Sequence, residues 1–282
     1  MNVIDWALHV FTTKDVSEKL LPGSLISNYS FKSSKICLGE PGRNNEIKFS
    51  TKKTKFPKVS NFKDPYNRAK AIAFFANHEL EAIEMMCAAI IKFGDQVKPC
   101  DFEKISKGIV SSVCDEQKHL KMYLSRLQDF GYGLDDFSLN DFFWKQFGGM
   151  KSFDDFFSLM ALTFEAANLD FCLFYEKVFY EVGDDQSAMI MREIYNDELS
   201  HVRLGVHWLN KWRESDSLWN YYVSHLPQNI SPERSKGIDF NLESREMVGL
   251  DKGFIENLIH FDDGFKIPKR KTNYKISEHH KS

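Results

Sequence analysis

Asp115-Glu116-Gln117-Lys118-His119 and Asp197-Glu198-Leu199-Ser200-His201 are the two stretches whose reading decides the fold. Each is a Glu-x-x-His preceded by Asp, and the chain contains no third Glu-x-x-His. On a helix, residues three apart share a face, so one carboxylate and one imidazole converge on the same point. A single such pair is a weak signal in a chain with nine histidines. Two pairs, each on the inward face of an amphipathic helix, are a stronger one.

The surrounding sequence reads as four long helices. The first spans roughly 65–93, with Asp64 as N-cap, Pro65 just inside, and the stripe Ile72, Phe75, Ala76, Ala82, Ile83, Met86, Ile90. The second spans 101–130 and stops at Gly131. The third spans 152–182, opened by Ser152 and Asp155 in a capping-box-like pattern. The fourth spans 184–213, with Met191, Ile194, Tyr195, Val202, Gly205 and Trp208 facing inward. Short connections join the first pair and the second pair, and a stretch containing Trp144 and Gly148-Gly149 separates them. The expected fold is therefore all-α, two antiparallel hairpins joined by one long crossover. Residues 1–64 read as an irregular N-terminal arm with a short helix near 2–20. Residues 214–264 read as a less periodic extension with a helix near 251–261, and 265–282 as a disordered tail.

The helices preceding the two motifs each carry a glutamate that interrupts an apolar stripe, Glu79 in the first and Glu165 in the third. A carboxylate in a core stripe is costly unless paired or bound to metal. Six residues thus form the expected ligand set: Glu79, Glu116, His119, Glu165, Glu198 and His201. One Glu from each of two helices plus a Glu-x-x-His from each of the others is the plan of a dinuclear carboxylate centre. Two divalent cations would neutralise four carboxylates. Oxygen and imidazole donors without thiolate suit two iron ions, with Mn/Fe as the alternative. Glu116 and Glu198 are expected to bridge, Glu79 and Glu165 to be terminal or semi-bridging. Asp115 and Asp197 are expected to hold the imidazole N–H of a histidine on a facing helix. Glu79 is preferred to Glu81 and Glu84, because Glu81 shares a face with Asn77, His78 and Met85 that reads as more polar.

The segments 78–84, 115–119, 165–170 and 197–205, with Gly39-Glu40-Pro41-Gly42-Arg43 upstream and Gly237-Ile238-Asp239-Phe240-Asn241 and Arg245 downstream, resemble an uncharacterised bacterial family of ferritin-like proteins. That family is known as a domain of unknown function. The resemblance covers most of the chain and implies a single ferritin-like domain with a metal site. It supplies no substrate.

Other residues carry weaker expectations. Tyr195 and Tyr123 each lie one turn from a motif; Tyr195 is the candidate redox or proton-donating tyrosine, with a hydrogen-bonded packing role as the alternative. Cys114 reads as a buried thiol pointing away from the metals, and His78 and His207 as lying off the ligand stripe. Gly205 would permit close helix approach or leave space beside the metals. Arg192, Arg203 and Arg245 read as surface salt bridges, with binding of an anionic substrate as the alternative.

Composition narrows the partners. The net charge of -3 points away from nucleic acid and membrane surfaces, although lysines cluster over 48–58. The five cysteines form no CxxC, so reduced, mostly buried thiols are expected. The N-terminus lacks a basic region and a clean apolar run, and no stretch reads as long and apolar enough to span a bilayer. A cytoplasmic location is expected. The functional expectation is an O2-dependent di-iron oxidoreductase that hydroxylates, desaturates or N-oxidises a small molecule with an external electron donor. The terminal segments would build its substrate pocket. A ferroxidase or iron-handling protein, a scaffold with structural metals, and a tRNA-modifying hydroxylase are the alternatives. A homodimer is compatible with the sequence.

Overall fold

The computed structural model describes residues 1–32, 38–52 and 55–264. The expectations for the tail 265–282, for Cys37 and for Lys53 lie outside the described residues. Within them the chain is all-helical, and β-structure is limited to the isolated bridges Asn2–Asn28 and Phe49–Leu139.

Four long rods position the site. Helix α3 (Pro65–Phe93) is capped by Asp64, whose carboxylate accepts from the Tyr66 N–H, with Pro65 in the first turn. Helix α4 (Pro99–Asp129) returns along it after the short 3-10 turn Gly94–Gln96. The third rod is composite. It begins as α6 (Phe153–Leu159), widens into a π-helical turn over Met160–Glu165, and continues as α7 (Ala166–Glu181). Ser152 caps it by accepting from the Asp155 N–H, while Asp155 accepts from the Lys151 N–H. Helix α8 (Asp185–Trp212) packs back along α7 and also meets α4. The crossover between α4 and the third rod contains the short helix α5 (Phe142–Phe147), which packs on α3.

The π turn is not visible in composition, because a one-residue widening uses the same side chains as an α-helix. It is the stretch that carries Glu165, and α8 lies close against it. A Cβ on Gly205 would stand 2.3 Å from the Cβ of Ala161. Gly205 therefore serves close approach of two helices.

The short helix expected near 2–20 is present, and two other expectations need correction. Helix α1 (Val3–Thr12) packs on α3 and buries Val3, Ile4, Trp6, Ala7, Val10 and Phe11 in the common core. Next, Phe153–Glu181 is long and apolar enough to cross a bilayer, contrary to the sequence reading. Its most apolar window is 83% buried inside the molecule, so its hydropathy reflects burial against protein. Lastly, Arg245 is not a surface residue. It is fully buried, and its guanidinium grips Asp170 of α7 with both terminal nitrogens, at 2.5 and 2.8 Å.

That last contact explains the downstream family-like segment. Asp170 also accepts from the backbone N–H groups of Gly237 and Asn241, at 2.8 and 2.7 Å. A Cβ on Gly237 would stand 2.4 Å from that of Asp170. Residues 237–245 thus latch the C-terminal extension onto the third rod, five residues beyond Glu165. The extension further contains α9 (Leu218–Ser224), α10 (Leu242–Met247) and α11 (Lys252–His260).

Candidate metal centre

Glu79 reaches the interior from α3, Glu116 and His119 from α4, Glu165 from the end of the π turn, and Glu198 and His201 from α8. All six are at most 5% exposed. Their donor atoms form two groups: Glu116, Glu165, Glu198 and His201, and Glu79, Glu116 and His119, each within 4.8 Å. Glu116 belongs to both groups; Glu198 belongs to one. The Glu198 Oε1 atom accepts from the Asn168 amide at 3.0 Å.

The two imidazoles are oriented in the same way. Nδ1 of His119 faces Glu116 Oε2 at 3.1 Å, while Nε2 meets Asp197 Oδ2 on the other helix at 2.9 Å. Nδ1 of His201 stands 3.2 Å from Glu116, 3.3 Å from Glu198 and 3.9 Å from Glu165, while Nε2 meets Asp115 Oδ2 at 3.2 Å. A carboxylate partner holds a proton on Nε2, so Nδ1 is the inward nitrogen of each ring. Asp115 and Asp197 thus each hold the histidine of the opposite helix.

Electrostatics follow from burial. Burial and then the Glu116 carboxylate push Glu79 well above the ordinary range, and Glu79 hydrogen-bonds to Glu116. Burial likewise raises Glu165 and Glu198. Burial opposes the charge on Glu116, but hydrogen bonds from Glu79, His119 and His201 hold it well below the usual range. Burial disfavours the His119 cation, yet Asp197 and Glu116 raise it to about 9. The cluster is thus a proton-sharing set of four carboxylates and two imidazoles.

The residues fit divalent cations. Glu165 Oε1 is buried with no hydrogen-bond partner among the described residues, a costly arrangement that a cation would relieve. Hard oxygen donors with imidazole nitrogen are the donor set of such a site.

Other candidates separate clearly. The Tyr195 hydroxyl pairs with Ser244 Oγ at 2.8 Å, so the redox reading gains no contact with the cluster. The Tyr123 hydroxyl donates to the Met191 sulfur at 3.5 Å, and burial and then the Glu79 charge push its phenol up. His78 stacks on Phe143 at 4.4 Å, and burial lowers it to about 4. His207 lies edge-on to Trp208. Of the described cysteines, Cys87 and Cys172 are buried, Cys114 is half-buried and Cys100 is exposed. Arg192 pairs with Glu176 at the surface, and Arg203 donates to the Met247 carbonyl.

A second polar set escaped the sequence reading. Glu81 and Glu84 are fully buried, Glu81 on the face it shares with Asn77. Arg43 grips Glu84 (2.7 Å from Nη2) and Lys19 adds a second cation at 3.1 Å. Glu81 accepts from Asn77 and from the Trp144 N–H. The signal lay in Gly42-Arg43. Gly42 sits so close to the Thr12 carbonyl that a Cβ has no room, and this delivers Arg43 to α3. These groups satisfy one another and tie the N-terminal segment to the crossover.

No curated protein and no solved structure matches the chain. The family-like segments at both ends and the buried cluster between them fall within a single family match, residues 4–256, from α1 to α11. The chain belongs to the family described as Protein of unknown function (DUF455).

Proposed function

We propose that the chain is a ferritin-like four-helix bundle whose buried cluster holds two iron ions, and that it is an O2-dependent oxidoreductase. The observation that carries this reading is the six-residue cluster, with an orphaned Glu165 oxygen and both imidazoles braced from the opposite helix. Two hairpins, α3–α4 and the third rod with α8, joined by one long crossover, support the bundle assignment.

The centre, when loaded, supplies electrons to O2. The chain's own residues do the rest. Glu116 spans both positions. Asp115 and Asp197 fix the imidazoles so that Nδ1 faces inward. Met86, Ile109, Phe157 and Met160 give the small cavity beside Glu165 an apolar lining. A small organic molecule is the proposed substrate, and an external donor returns the electrons.

Iron oxidation without an organic substrate is a second reading, favoured by one observation. The cavity touching Glu165 has room for about one water-sized molecule, ≈ 10 Å³. That suits O2 and excludes a larger substrate unless the helices move.

Metal content of the untagged protein, followed by anaerobic Fe(II) loading and stopped-flow absorbance on adding O2, tests the proposal. About two metals per chain and rapid O2 consumption are expected. Less than one metal per chain, unchanged in Glu116→Ala, would sink it. O2 consumption that no organic additive alters would favour the second reading.

A further inference from the structure

We propose that the two metal positions are unequal. The position bounded by Glu116, Glu165, Glu198 and His201 fills first and holds its ion more tightly. The position bounded by Glu79, Glu116 and His119 fills second. This ranking rests on the two-metal reading above.

Donor number is the first argument. The first position gathers four side chains and the second three. The fourth donor that symmetry would give the second position is Glu198, and Asn168 of α7 prevents it. The Asn168 amide donates to Glu198 Oε1 at 3.0 Å, which occupies one oxygen and leaves Oε2 on the His201 side.

An unsatisfied donor gives the second argument. Glu165 Oε1, buried with no hydrogen-bond partner among the described residues, belongs to the four-residue position. The three-residue position satisfies itself. Glu79 hydrogen-bonds to Glu116, and His119 Nδ1 meets Glu116 Oε2 at 3.1 Å. A cation entering the first position relieves a buried unpaired carboxylate oxygen. One entering the second must displace hydrogen bonds already made.

The residues behind the histidines give the third. Asp197, which backs His119, is also paired with Lys118, and Lys118 is held by Glu193 at 3.0 Å. Among the described residues no lysine or arginine pairs with Asp115, which backs His201. A cation on Asp197 draws its charge away from the His119 N–H, so His119 is the weaker electron donor to a metal. Asn168 and Lys118 are thus positioning residues that separate the two affinities.

Titration of the metal-free, full-length protein with Co(II) under anaerobic conditions, followed by calorimetry and visible absorption, tests the ranking. Two steps separated by about 10–100-fold are expected. Glu79→Ala should remove only the weaker step, and Glu165→Ala should weaken the tighter one. Asn168→Ala should narrow the separation by freeing Glu198 Oε1, an effect that mere loss of packing would not produce. Two steps of equal affinity, loss of the tighter step in Glu79→Ala, or an unchanged separation in Asn168→Ala would overturn the proposal. No Co(II) binding by a chain that is folded by circular dichroism would overturn the two-metal reading itself, and the ranking with it.

Discussion

Asp197 on α8 and His119 on α4 meet across the helix interface, with Oδ2 2.9 Å from Nε2. The reciprocal pair, Asp115 on α4 and His201 on α8, is related to it by exchanging the helices. Each motif therefore contributes one inward ligand pair and one brace for its neighbour. An aspartate one residue before the glutamate lies about 100° around the helix, which aims it at the adjacent helix. Replacing either aspartate with asparagine keeps the shape but removes the charge that fixes the tautomer. Asp115→Asn and Asp197→Asn should each lower metal affinity about 10–100-fold. Competition with a coloured chelator measures this, and an unchanged affinity would show that the braces are incidental.

Metal affinity should rise with pH. Glu79, Glu165 and Glu198 are raised by burial, and His119 is raised to about 9, so at neutral pH the cluster carries protons that a cation must displace. These groups release protons as pH increases, so the competition weakens toward pH 9. Proton release on Co(II) binding, measured by calorimetry in buffers of different ionisation enthalpy, should exceed one per chain near pH 7. Release of none would mean the carboxylates are already ionised.

The Asp170–Arg245 pair should be a strong determinant of stability. Breaking a buried ion pair from one side costs about 3–5 kcal/mol, because the survivor remains buried and charged. The two sides differ here. In Arg245→Met, Asp170 keeps the backbone donors Gly237 and Asn241. In Asp170→Leu, the guanidinium keeps the Ser235 carbonyl at 2.9 Å as its close partner. Asp170→Leu should therefore be the more destabilising in urea denaturation, and the double variant should lose less than the sum. Strict additivity would show that the pair is not coupled.

The four rods and the six candidate ligands were legible because both rest on local periodicity. An apolar stripe fixes the face, and a glutamate within it stands out. The burial of Glu84 and Glu81 was not legible, since Arg43, which satisfies Glu84, lies 41 residues away in the N-terminal segment, and the Trp144 N–H that Glu81 accepts from lies 63 residues away in the crossover. Arg245 was misread for the same reason, being 75 residues from Asp170. No periodicity signals a cation that a distant segment delivers into a core. The π turn was hidden for a different reason, since it alters the hydrogen-bond pattern and leaves the composition unchanged.

Gly205 and Gly108 offer a matched test of how tightly α8 is seated. Both lie in helix interiors, where Ala is favoured over Gly by about 1 kcal/mol. A Cβ on Gly108 would meet Leu204 Cδ1 at 2.6 Å, the far end of a side chain that can rotate away. A Cβ on Gly205 would meet the Cβ of Ala161 at 2.3 Å, which moves only if the helix moves. Overpacking of that kind costs about 1–3 kcal/mol. Gly108→Ala should thus be neutral or slightly stabilising, while Gly205→Ala should lose up to about 2 kcal/mol after the propensity gain. Because Ala161 lies in the turn that ends at Glu165, Gly205→Ala should also weaken Co(II) binding at the position containing Glu165, and Gly108→Ala should not. Urea midpoints and Co(II) titrations on the two variants decide it. Equal behaviour of the two would show that the approach of α8 to the π turn does not set the geometry of Glu165.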